Sequence, residues 1–130
     1  MKKSIIKDKS YSFALDIIEL YKVLLKQNEY VMSKQLLKSG TSIGANVEES
    51  LAGQSRADFL SKMSIASKEA RETNYWLRLL NDSGFVNKER LKPLIEESEN
   101  IIKILTSIVK TTATKNSKPK TCLPDRQAQN

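Results

Sequence analysis

The chain has 130 residues, a single-domain length, with 39% hydrophobic and 28% charged residues and only four glycines and three prolines. This is a soluble composition that leans towards helix. Lacking histidine and holding one cysteine, it cannot build a His-dependent triad, a His-ligated zinc or di-iron centre, an intrachain disulfide or a CxxC pair.

The net charge of +7 invites a polyanionic partner, but most of it sits at the ends. Residues 1–9 carry Lys2, Lys3, Lys7 and Lys9 against Asp8, and residues 113–130 carry Lys115, Lys118, Lys120 and Arg126 against Asp125. We expect a basic N-terminal arm (1–9), a folded unit (10–112) of net charge +1, and a disordered basic C-terminal tail (113–130). Lysines in such ends serve nucleic acid or plain solubility, and composition leaves both open. Cys122, in the tail, has nothing beside it to activate a thiol. The apolar run before Lys7 is only Ile5-Ile6, too short for a signal peptide, and no apolar run is long enough for a membrane span. A cytoplasmic protein is expected, with no membrane partner.

In chain order, the first helix is predicted from about Ser10 to Asn28. Phe13, Ile17, Leu20 and Leu24 form one stripe, and Ala14, Ile18, Tyr21 and Leu25 a second beside it. The next helix starts near Val31 or Ser33 and runs to Ala52, with Leu36, Ile43, Val47 and Leu51 inward. Gly53 follows as a helix-ending glycine, and Ser55 with Asp58 resembles a capping box. A third helix, Arg56 to Asn81, places Phe59, Met63, Ala66, Ala70, Leu77 and Leu80 on one face and stops at Asp82-Ser83-Gly84. Asn87 caps a fourth, with Leu91, Ile95, Ile102, Leu105 and Val109 beside Leu94, Ile101 and Ile108. Pro93 falls early enough in it to be tolerated. No alternating strand pattern occurs. The fold class is all-α, an antiparallel up-down four-helix bundle.

Gly40 and Gly44 lie inside the second helix, where each costs about 1 kcal/mol relative to alanine. A turn centred on residue 54 sets Gly44 opposite Ser64 and Gly40 opposite Lys68, near Ala66, Ser67 and Ala70. Small residues facing small residues indicate close helix packing rather than a break. The same register brings Asn46 to Lys62 and Glu49 near Phe59, with Glu69 and Glu72 further along. Asn46, Glu49, Lys62 and Glu69 are thus a candidate polar cluster, read as a satisfied ion pair or intersubunit contact before a catalytic site. No nucleophile, metal set or phosphate cradle accompanies the carboxylates. Residues 40–44 lack the spacing and the Lys-Ser/Thr of a P-loop. No catalytic residue, metal ligand or cofactor is assigned, and no enzyme is expected. Tyr75-Trp76 is read as core or subunit contact rather than a base-stacking platform.

The run Gln35-Leu36-Leu37-Lys38-Ser39-Gly40-Thr41-Ser42-Ile43-Gly44-Ala45-Asn46-Val47-Glu48-Glu49 is followed by Asp58-Phe59-x-x-Lys62 and Ile65-Ala66-x-Lys68-Glu69-x-x-Glu72-x-x-Tyr75-Trp76-Leu77. Together these resemble the four-helix-bundle family of 23S-rRNA intervening-sequence proteins, which includes the accessory variability determinant of diversity-generating retroelements. The resemblance covers about residues 10–112. Lys38 stands where arginine is often found, keeping the charge without the bidentate geometry. The resemblance implies a homo-oligomer, a pentameric barrel of bundles; for the retroelement member it also implies nucleic acid and a reverse transcriptase as partners.

The expected function is that of a non-enzymatic, homo-oligomeric RNA- or DNA-binding accessory protein. Its candidate contacts are Lys34, Lys38, Arg56, Lys62, Arg71 and Arg78, each of which is otherwise an ordinary solvated side chain. The alternative is an oligomeric protein-interaction scaffold with no nucleic-acid role.

Overall fold

A computed structural model describes residues 2–117, with side chains from Ile5 to Thr114. It contains helices α1 (Lys2–Lys26), α2 (Met32–Leu51), α3 (Arg56–Ser83) and α4 (Lys88–Ser117). α1 packs on α2 and α4, and α3 packs on the same two. Short links between consecutive helices make this the antiparallel up-down bundle.

The first departure from expectation is at the N-terminus. Residues 2–9, expected as an arm, are the opening turns of α1. Ile6 continues the Phe13 and Ile17 stripe and is fully buried, and Ser10 is buried one turn later. The Lys9 ammonium pairs with Glu97 of α4 at 3.0 Å. A single apolar residue at the right phase thus draws the basic segment into the bundle. At the other end α4 continues past residue 112 to Ser117, and Thr112 is buried. The expected disorder of 118–130, with Cys122, lies outside the described residues.

The α1–α2 link closes on Asn28, whose backbone is left-handed (φ 62°). The Glu29 N–H donates to the Leu24 carbonyl and that of Asn28 to Leu25, both at 3.0 Å, a Schellman ending with asparagine in the glycine position. Glu29 then caps α2. Its carboxylate accepts from the backbone N–H of Val31, Met32 and Ser33 at 3.1, 3.0 and 2.6 Å, and the Ser33 hydroxyl donates to the Glu29 carbonyl at 2.7 Å.

Gly53 is not the left-handed glycine its position suggested; the only glycine with positive φ among the described residues is Gly84, which ends α3. Gly53 matters for space, since a Cβ there would meet the Ser50 carbonyl oxygen at 3.1 Å and Asp58 Cβ at 3.3 Å. Ser55 caps α3 as expected, accepting from Asp58 N–H. Asn87 caps α4 in the same way, through Glu89 N–H. Pro93 is exposed, and α4 runs through it unbroken.

All of Phe13, Ile17, Leu20 and Leu24 are in the core, with Leu36, Ile43 and Val47 from α2. Met63, Ala66, Ala70, Leu77 and Leu80 of α3 join Leu91, Leu94, Ile101, Leu105 and Ile108 of α4. Of the expected inward residues, Leu51 is instead exposed at the end of α2. In α4 the buried residues are Leu91, Leu94, Ile101, Leu105 and Ile108, while Ile95, Ile102 and Val109, also expected inward, pack at the margin.

Register and partner are both corrected for the glycine helix. The hydroxyls of Ser39 and Thr73 meet at 3.0 Å and Glu49 reaches Lys62, so α3 is displaced by about one turn from the expected pairing. Residues 52–55 climb beyond the end of α2, with Ser55 extended, before α3 begins. Gly40 and Gly44 face α1, not α3. A Cβ on Gly40 would meet Ile17 Cγ2 at 2.9 Å, and one on Gly44 would meet Ser10 Oγ at 3.4 Å. The close approach is real, and α1 is what approaches.

Candidate nucleic-acid interface

The α2–α3 face holds the expected polar cluster, assembled differently. Lys62 Nζ lies 2.8 Å from Glu49 Oε1, with both side chains substantially exposed. Such a pair adds little stability. Asn46 does not join them through its amide nitrogen, which donates to the Ser42 carbonyl one turn back. Glu69, half-buried, has its carboxyl held above the ordinary range by burial first and by Glu72 second, with Lys38 pulling the other way. The Glu72 carboxylate accepts from the Trp76 indole N–H at 3.1 Å. Lys38 and Lys62 therefore sit among Glu49, Glu69 and Glu72, and this face offers a polyanion no surplus of positive charge.

The α3–α4 face is different. Arg78 Nε donates to Asn74 Oδ1 at 2.8 Å. Asn74 Nδ2 donates to the fully buried Ser98 hydroxyl at 2.9 Å, which donates to the Ile95 carbonyl at 2.7 Å. This relay satisfies two buried polar side chains and anchors the base of Arg78. Its guanidinium lies 6.0 Å from the centroid of the Tyr75 ring. One turn before Tyr75, Arg71 donates to Thr106 Oγ1 at 3.0 Å. An open depression beside it is lined by Arg71, Lys103, Lys110, Thr106, Ser107 and Thr111 over Ile102. It contains no carboxylate. None of the ion pairs among the described residues involves Arg71, Arg78, Lys103 or Lys110.

The six candidate contacts are thus dispersed. Lys34 and Arg56 are exposed near the starts of α2 and α3, at opposite ends of the bundle. Arg56 borders a cavity of about 660 Å³ between the α2–α3 link and α4, floored by Phe59 and Ile108. Lys38 and Lys62 face acids, and only Arg71 and Arg78 share the α3–α4 face, where they make no ion pair although the exposed Glu99 lies one turn before Lys103. Lys103 and Lys110, which join them there, were missed. Their seven-residue spacing opposite the α4 core stripe was a readable signal, obscured by the acidic run Glu96-Glu97-Ser98-Glu99 just before it.

Residues 2–107 match the family model of the 23S rRNA-intervening sequence proteins. The chain belongs to that family. A crystal structure of an S23 ribosomal protein family member from Bacteroides thetaiotaomicron, itself of unknown function, is 51% identical, with a TM-score of 0.82. The similarity covers 85% of this chain and 99% of that one. No curated protein matches the chain. The match to the 23S rRNA-intervening sequence model takes in Arg71, Arg78, Lys103 and Thr106 and ends before Lys110. Among the described residues no helix is long and apolar enough to cross a membrane.

Proposed function

We propose that this 23S rRNA-intervening sequence protein is a non-enzymatic, homo-oligomeric, cytoplasmic accessory protein that binds nucleic acid through its phosphates. The observation that carries the reading is the α3–α4 face, where Arg71, Arg78, Lys103 and Lys110 stand with no ion-pair partner among the described residues. Bases without acids to neutralise them attract a phosphate backbone and release its counterions on contact. Oligomerisation is supported by α1, which turns Tyr11 and Leu15 outward at 61% and 50% exposure. In a pentamer, five copies of +7 would present about +35 in total, so weak contacts act together.

The test is fluorescence anisotropy of a labelled structured RNA titrated with the full chain at low and moderate salt. Affinity that falls steeply with salt, with little sequence preference, is the expected result. No binding at low salt would remove the reading. The exposed α1 stripe would then favour the second one, an oligomeric scaffold for a protein partner, recognised by capture that survives high salt.

A further inference from the structure

Arg71, Tyr75 and Arg78 occur at i, i+4 and i+7 on α3 and so share one face. Tyr75 is 47% exposed in the single chain, so it lies outside the core. Trp76 meets its ring edge-on, with centroids 5.2 Å apart and planes at 69°, and Trp76 is in turn tied to Glu72. The tyrosine ring is therefore in contact with Trp76 and has the Arg78 guanidinium over it, while about half of the residue is open. Lys103 and Lys110 repeat the seven-residue spacing on α4 across the depression, each pair about 10 Å apart along its helix.

We infer that the α3–α4 face is a binding site for single-stranded RNA, in which one base stacks on Tyr75 and the flanking phosphates lie on Arg71, Arg78, Lys103 and Lys110. This rests on the nucleic-acid reading above and narrows it. An exposed aromatic amid unpaired bases is the pattern by which single strands are held, because every base has a face to stack and a duplex keeps those faces occupied. Thr106 distinguishes RNA from DNA. Its oxygen already accepts from Arg71, so its hydroxyl proton is directed to another acceptor, and a ribose 2′-hydroxyl can take it.

The experiment measures anisotropy of a labelled single-stranded RNA 12-mer, its duplex and the matching single-stranded DNA against the full-length protein. The wild type is expected to prefer the single-stranded RNA. Tyr75→Ala weakens that binding about ten-fold while Tyr75→Phe retains it, the loss expected for one stacked base. The pair Lys103→Glu/Lys110→Glu weakens it further and flattens its salt dependence. Arg90→Glu, exposed in the first turn of α4 and away from the site, binds as the wild type does. All these side chains are exposed, and circular dichroism confirms that each variant folds. If the wild type binds neither single-stranded nor structured RNA, the nucleic-acid reading itself fails. If it binds but Tyr75→Ala or the double lysine variant behaves as wild type, that reading stands and this site is overturned. Equal affinity for the duplex or for DNA overturns the single-strand or RNA assignment respectively.

Discussion

Glu29 shows how one side chain can decide a helix start that no serine or aspartate announces. It is only 8% exposed, and burial by itself would raise its pKa. The N–H groups of Met32, Ser33 and Val31, with the Ser33 hydroxyl, outweigh that and hold the carboxyl below its ordinary 4.5. Its contribution is therefore complete above the ordinary value and is lost as pH falls through the lower folded one. Glu29→Ala is expected to cost about 1–2 kcal/mol at pH 7, the range for losing an N-cap. In urea unfolding, the advantage of the wild type over Glu29→Gln should be clear at pH 7 and shrink progressively below pH 4.5. An equal advantage at pH 3 would mean that the charge is not what caps α2. The sequence reading set the start of α2 correctly to within a residue or two but missed this cap, because a glutamate three residues before a helix has no marked preference without the fold of the Asn28 turn behind it.

At the scale of elements, the two glycines of α2 separate by what lies opposite them. Each gains up to about 1 kcal/mol of helix propensity on becoming alanine. At Gly44 the added Cβ makes ordinary contact with Ser10, so Gly44→Ala should raise the melting temperature. At Gly40 the same carbon meets the branched Ile17, itself buried, and overpacking costs about 1–3 kcal/mol. Gly40→Ala should therefore be destabilising on balance. Thermal melts of the two variants, read by circular dichroism, test the contrast; equal shifts would show that α1 moves aside freely. Small residues at this spacing revealed a close helix contact but not its partner. Periodicity ranks the faces of one helix and says nothing of which neighbour each face meets, and the chain beyond Leu51 rises by about a turn before α3 begins.

For the whole molecule, the faces left open matter more than the core. Tyr11 and Leu15 are exposed one turn apart on α1, beside the half-buried Ile18. If this stripe seats another copy, Tyr11→Glu with Leu15→Glu should lower the mass measured by light scattering to that of one chain, while helicity is kept. An unchanged oligomer would place the contact elsewhere on the surface. The loss of avidity should also weaken nucleic-acid binding although no base on the α3–α4 face is altered.

The sequence by itself determined the helices, their count and topology, the apolar stripes and the family, because these depend on local periodicity, caps and a contiguous motif from Gln35 to Glu49. It also identified Arg71 and Arg78 as bases on the third helix. Only the tertiary structure decided which charges are neutralised. Lys38 and Lys62 lie near acids brought over by the packing of α2 against α3, while Lys103 and Lys110 reach Arg71 only because α4 packs antiparallel on α3. Net charge is additive along a chain, but the field that a ligand meets depends on distances across helices, and those are set by register and packing.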